Sequence, residues 1–113
     1  MENCLFCKIA TGKEGTKLIF QDRRVSAFND IAPKAPIHIL IVPRIHLTSV
    51  AEMTREHEPL IGYMINVARK IADEQKISSD GYRLVFNTRA HGGQVVDHIH
   101  LHLLGGHRLG SMV

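Results

Sequence analysis

His98-Ile99-His100-Leu101-His102-Leu103-Leu104-Gly105-Gly106 is the stretch on which the reading of the chain turns. Histidine and an aliphatic residue alternate from His98 to Leu103, the period of a β-strand whose successive side chains point to opposite faces. The alternation predicts a strand with Ile99, Leu101 and Leu103 turned to a core. His98, His100 and His102 then share the other face, successive imidazoles roughly 6–7 Å apart. Each ring disfavours protonation of the next, so the central one, His100, is expected to stay neutral and nucleophilic at neutral pH. A face that is merely solvated has no reason to repeat so rare a residue three times.

Upstream of this strand lies a loop, Thr88 to Gln94, containing Gly92-Gly93. Glycines let a backbone approach a ligand closely and present N–H groups to an anion. Tyr82 to Asn87 alternates well enough for another strand. Before it, Leu60, Ile61, Met64, Ile65, Val67, Ala68, Ile71 and Ala72 recur at three- and four-residue spacing, which predicts one long amphipathic helix. Pro59 suits its first turn, and Thr48 or Ser49 is placed to cap a short turn ahead of it. Ile37 to Val42 is a nearly continuous apolar, β-branched run closed by Pro43, the pattern of a central strand covered on both faces. His38 is its one polar residue and is expected beside the histidine strand. Leu18 to Phe20 and Val25 to Phe28 read as a hairpin around Asp22-Arg23-Arg24. Leu5, Phe6 and Ile9 mark one face of a short first helix ending near Gly12. The order predicts an α+β fold: a mainly antiparallel sheet, one long helix and a short N-terminal helix, in a single domain over residues 1–113.

Composition narrows the function. With 113 residues, 44% hydrophobic and 22% charged, the chain is of ordinary globular make-up. Its formal net charge of +3 suits an anionic small molecule. No run of Lys or Arg interleaved with aromatics marks a nucleic-acid groove, and no segment approaches the roughly 20 apolar residues of a membrane span. Met1-Glu2-Asn3-Cys4 has no basic region followed by an apolar stretch, so a cytoplasmic location is expected. The only cysteines, Cys4 and Cys7, are spaced for metal binding or redox work rather than a structural disulfide. Cys-x-x-Cys alone supplies half of a tetrahedral zinc site.

Two chemistries remain open for the imidazole row. It can bind a metal, or its central member can attack an electrophile while its neighbours manage charge. A glycine-rich loop beside it favours a phosphate, with Asn87, Gln94 and backbone N–H groups stabilising the charge that develops. No Walker-type loop or carboxylate cluster supports kinase-like transfer.

The His98–Leu104 segment resembles the His-φ-His-φ-His-φ-φ signature of the histidine triad superfamily, φ being apolar. Gly105-Gly106 after it, Gly92-Gly93-Gln94 before it and the segment from Ala27 to His38 resemble the Hint branch of that superfamily. The resemblance covers nearly the whole chain. It implies a homodimeric, purine nucleotide-binding hydrolase that cleaves adenosine 5′-phosphoramidates and acyl-adenylates to AMP through a nucleotidyl-histidine, with no organic cofactor. By the resemblance His100 is the nucleophile, His102 contacts the phosphate, and His98 and His38 complete the catalytic group. Gly93, Gln94 and Val95 cradle the phosphate, with Asn87 nearby. Asp30 holds the ribose, and Leu5, Phe6, Ile9, Phe28 and Ile31 wall the base. It also implies that His46 and His98 join Cys4 and Cys7 in a structural zinc site, as in some members and in the related galactose-1-phosphate uridylyltransferases.

Two positions depart from the pattern. Val95 stands where animal members of the branch carry a serine, and Ser111-Met112 where they carry a tryptophan. The missing hydroxyl keeps open a nucleotide-binding regulator with little catalysis. Dinucleoside polyphosphate hydrolysis is a further alternative, as is a metallohydrolase using the whole triad as ligands.

Overall fold

The apolar run Ile37–Pro43 (β3) is the middle strand of a five-stranded antiparallel sheet in the computed structural model, which describes residues 3–113. The reading of the first residues as lacking a leader falls partly on Met1 and Glu2, outside the described residues. Around β3 lie Phe20–Gln21 (β1), Val25–Asn29 (β2), Arg83–Val85 (β4) and Leu101–Gly105 (β5), in the order β1-β2-β3-β5-β4. Leu5–Ala10 forms the short helix α1 and Glu58–Glu74 the long helix α2. The expected α+β architecture is therefore the observed one.

Each face of the sheet has its own core, and the period-two pattern assigns residues to them. Ile39, Ile41, Leu101 and Leu103 pack with Met64, Val67, Ala68, Ile71 and Ala72 of α2. Burying a side chain of the size of Met64 or Ile71 contributes about 1.5–3 kcal/mol, so this face holds the helix. Ile65, grouped with the apolar stripe in the sequence, is instead 43% exposed. Leu40 and Val42 point the other way, against Phe28 and against Phe6, Ile9 and Ala10 of α1. The buried Ser26 hydroxyl donates to the Ala10 carbonyl at 2.8 Å and ties α1 to β2.

Three boundaries differ from the sequence pattern. β5 begins at Leu101, not at His98. The β3–β5 register, in which Ile41 faces Leu101, puts Pro43 opposite Ile99, and proline has no N–H for the ladder. The Ile99 N–H bonds instead to the Leu47 carbonyl at 2.6 Å, and the chain bends there. Correspondingly, the three histidines do not form one even row: His98 is fully buried and turned to a different neighbourhood from His100 and His102. β1 is shifted from the expected Leu18–Phe20 to Phe20–Gln21, and β4 is confined to Arg83–Val85 within Tyr82 to Asn87; both are edge strands with a single neighbour. The long helix starts at Glu58 with Pro59 in its first turn, and Ser49 caps the short turn at Val50–Glu52 by accepting the Ala51 N–H.

Candidate active site and metal centre

A cleft of about 540 Å³ opens on the α1 side of the sheet. Parity along β3 and β5 brings His38 and Leu40 to it from one strand, and His102 and Leu104 from the other. His100 enters from the bent segment before β5, and Phe6 meets its ring edge-on at a centroid distance of 5.0 Å. Of the residues singled out in the sequence, Leu5, Phe6, Ile9 and Phe28 line one part of the cleft. Asp30, Ile31, Asn87, Gly93 and Val95 line the remainder. Ile31 and Val95 stand at its rim, 98% and 90% exposed. Gln94 and His98 are not in its wall. The sequence reading missed Thr16, Asn29, Lys34, Val85 and Val96. It also missed Leu40 and Leu104, which lie two residues beyond His38 and His102 and were accessible from strand parity.

Hydrogen bonds fix the tautomer of each histidine. His100 Nδ1 lies 2.7 Å from the His98 carbonyl, which only accepts. Nδ1 therefore carries the hydrogen, and Nε2 keeps its lone pair. The Lys34 N–H donates to His38 Nδ1 at 3.1 Å, so the His38 hydrogen is on Nε2, 2.9 Å from His102 Nδ1. His102 Nδ1 is thus the acceptor, and its hydrogen lies on Nε2. That Nε2 is buried and has no partner among the described residues. An unpartnered donor in a ligand cleft calls for an acceptor brought by the ligand.

Burial sets the charge of these rings. It pushes His102 down to about 4, helped by His100 and His38, and it lowers His100 as well. Burial also lowers His38, against the pull of the Asp30 carboxylate 3.5 Å away. The cleft therefore presents at neutral pH an uncharged ring with a free Nε2 lone pair in His100 and an uncharged hydrogen-bond donor in His102.

Asp30, His38 and His102 lie close enough together to suggest a cation site. Their hydrogen bonds argue otherwise. The lone pair of His38 Nε2 is absent in the tautomer that the Lys34 amide selects, and Asp30 Oδ1 already accepts the Ala32 N–H at 2.8 Å. The group works as a relay of hydrogen bonds.

A second cluster behind the cleft has the chemistry of a metal centre. One ligand atom from each of Cys4, Cys7, His46 and His98 lies within 4.8 Å of the others. His98 Nδ1 is 3.3 Å from Cys4 Sγ and 3.4 Å from Cys7 Sγ, and His46 Nδ1 is 3.2 Å from Cys7 Sγ. Tetrahedral zinc with ordinary bond lengths separates sulfur and nitrogen ligands by roughly 3.5 Å. His98 Nε2–H donates to the Pro43 carbonyl at 2.8 Å, which frees Nδ1 to bind a metal and orients the ring. Burial, reinforced by Cys4, pushes the Cys7 thiol up to about 11. The donor set fits zinc, with no open position for substrate. It includes His98, whose ring is thereby set apart from those of His100 and His102.

Strain is concentrated in the loop between β4 and the histidines. Arg89 has φ 58° and ψ −172°, a region populated almost only by glycine and costing of order 1–3 kcal/mol for other residues. Gly93 is left-handed at φ 81°, where glycine is at ease.

Comparison with known proteins agrees with this geometry. Residues 3–111 match the family model described as "Scavenger mRNA decapping enzyme C-term binding". The chain is 50% identical over 112 residues to the purine nucleoside phosphoramidase of Escherichia coli (strain K12), covering 99% of this chain and 94% of that protein. Among solved structures, a HIT family hydrolase from Legionella pneumophila Philadelphia 1 superposes with a TM-score of 0.93 at 44% identity, covering 96% of each chain. A zinc-bound histidine triad family protein from Mycobacterium smegmatis superposes with a TM-score of 0.81 at 27% identity, covering 98% of this chain and 79% of that one. The chain belongs to the histidine triad superfamily and is an enzyme, one of its hydrolases.

Proposed function

We propose that the chain hydrolyses purine nucleoside 5′-phosphoramidates and acyl-adenylates, releasing the nucleoside monophosphate through a nucleotidyl group on His100. The observation that carries this reading is the pairing of the two free ring atoms: a lone pair on His100 Nε2 and an unpartnered N–H on His102 Nε2. His100 Nε2 attacks the α-phosphorus and the bond to the leaving nitrogen or acyl oxygen breaks. Water then cleaves the phosphorus–histidine bond. His102 donates to a phosphate oxygen, and the backbone of Gly93 and Val95 adds further donors. The apolar wall of Leu5, Phe6, Ile9, Phe28 and Ile31 takes the base. The Asp30 carboxylate, whose Oδ2 lies 3.5 Å from His38 Nε2, faces the cleft and takes the ribose, and Asn87 also lines the cleft. The name of the half-identical relative supports the substrate class.

In the same reading zinc is held by Cys4, Cys7, His46 and His98 and serves structure, fixing α1 and the start of the histidine segment; the zinc-bound relative supports it. Thiols kept as ligands suit the reducing cytoplasm. The chain acts as a homodimer. β4 offers a sheet edge with one neighbour, and Ile65 is an exposed apolar residue on α2. No helix among the described residues is long and apolar enough to cross a membrane.

A slow adenosine phosphoramidate analogue tests the central claim. Mass spectrometry should map a nucleotidyl adduct to His100, and His100→Ala should abolish turnover while the protein stays folded and still binds AMP. Turnover in that variant close to the wild-type rate, or an adduct on another residue, refutes the mechanism. A regulator without catalysis would show tight AMP binding and negligible hydrolysis in the wild type.

A further inference from the structure

Gln94 lies between two residues that line the cleft, Gly93 and Val95, yet it is absent from the wall itself. Its carboxamide is fully used inside the protein. Oε1 accepts the Arg89 N–H at 2.8 Å, while Nε2 donates to the Thr48 carbonyl at 2.6 Å and to the Val96 carbonyl at 3.0 Å. One acceptor meets one donor and one amino group meets two carbonyls, so no other orientation of the amide satisfies all three partners.

The bond to Arg89 falls on the strained residue of the loop. A non-glycine residue stays in such a conformation only where its surroundings over-determine it. Here the surroundings can be counted out. The Arg89 carbonyl accepts from Gly92 N–H at 3.2 Å and Gln94 N–H at 3.1 Å, and its guanidinium pairs with the exposed Glu52 at 2.6 Å. Beside that exposed pair, the Gln94 side chain ties this loop to the Thr48 backbone. The residue before Thr48, Leu47, anchors the Ile99 N–H between His98 and His100. Loop and nucleophile are thereby referred to one short piece of chain.

We propose that Gln94 is a positioning residue: its carboxamide clamps the Arg89–Val96 loop in a strained shape that keeps the backbone of Gly93 and Val95 at the cleft, and its side chain does not touch the nucleotide. This rests on the reading of the cleft as the phosphate site. The sequence alone suggested the opposite use of Gln94, as a phosphate ligand.

Two near-isosteric variants test it. Gln94→Met fills the volume without hydrogen bonds. Gln94→Glu keeps an acceptor for Arg89 N–H but sets an oxygen against the Thr48 and Val96 carbonyls. In both, amide hydrogen exchange at residues 92–95 should accelerate at least about tenfold while β3 and α2 keep their protection. Turnover of an adenosine phosphoramidate should fall roughly 10- to 100-fold in kcat, with KM changed less than about threefold. In an Arg89→Gly background, where glycine adopts φ 58° freely, Gln94→Met should cost less than about threefold in kcat. Unchanged exchange at residues 92–95 in both variants overturns the proposal. So does a loss confined to KM and AMP affinity, the signature of a direct ligand. The exchange measurement needs no substrate, so its outcome stands apart from wild-type turnover, which decides the hydrolase reading.

Discussion

His38 Nε2 donates its hydrogen to His102 Nδ1 across 2.9 Å, and the Lys34 amide behind His38 sets the direction of that bond. A main-chain N–H thus determines, two rings away, which nitrogen of His102 presents a hydrogen to the cleft. His38 is buried at 3% exposure and makes its contribution through another residue.

Replacing His38 with phenylalanine keeps most of the volume and removes the donor. His102 is then free to move its hydrogen to Nδ1, which silences Nε2 as a donor. The expected result for His38→Phe is a fall in kcat of roughly 10- to 100-fold, with a change in the nitrogen chemical shifts of the His102 ring. Unchanged ring shifts would break the relay.

Acid should weaken both fold and activity. Burial first, then His100 and His38, holds His102 down to about 4 in the folded protein, while an unfolded histidine titrates near 6.5. Between those values the unfolded chain binds more protons. The stability is therefore complete above about 6.5 and is lost as the pH falls toward 4. Denaturant unfolding at about pH 7.5 and about pH 5 should differ by roughly 1–2 kcal/mol from this ring, and the difference should shrink in His102→Asn. Burial lowers His100 in the same sense, so kcat/KM should be flat at neutral pH and decline on the acid side as the nucleophile protonates.

Cys7→Ser should remove bound zinc from the purified protein and lower the thermal midpoint by roughly 5 °C or more, since metal affinity adds to the stability of the state that binds it. Cys7 lies one residue from Phe6, which packs on both His98 and His100. AMP affinity measured by calorimetry should fall with it. Full zinc content in this variant would remove Cys7 from the ligand set.

Gly106→Ala should destabilise the fold by about 1–3 kcal/mol in chemical denaturation. Gly106 has φ 98°, and a Cβ there meets Pro36 Cβ at 2.8 Å, a rigid ring that cannot yield. The same pair of segments positions His38, so the variant should also slow turnover.

The strand-borne part of the cleft is what parity makes legible in the sequence, because a strand assigns each residue a face. His38 and His102 follow that rule, and so do Leu40 and Leu104. Legibility failed where the chain leaves the ladder. Nothing local shows that Ile99 bonds to Leu47 rather than to β3; that follows from Pro43 sitting opposite, a relation that appears only once the register is known. The separate task of His98 was suggested by a resemblance, not by its spacing from His100. Gln94 is hard to read for a related reason: an amide beside two glycines looks free to bind a ligand, and its partners, remote in sequence at Thr48 and near at Arg89, appear only in the fold.

His98 meets the thiols of Cys4 and Cys7 with its ring and the His100 ring with its carbonyl. The direction of one peptide plane therefore joins the two clusters, and the side chain at that position matters to the cleft through how firmly it holds that plane. A designer wishing to dispense with the metal would have to replace the whole donor set, Cys4, Cys7 and His46 with His98, by groups that keep the plane in place. The first histidine of the motif is, in that sense, a hinge between the two clusters rather than a member of the cleft wall.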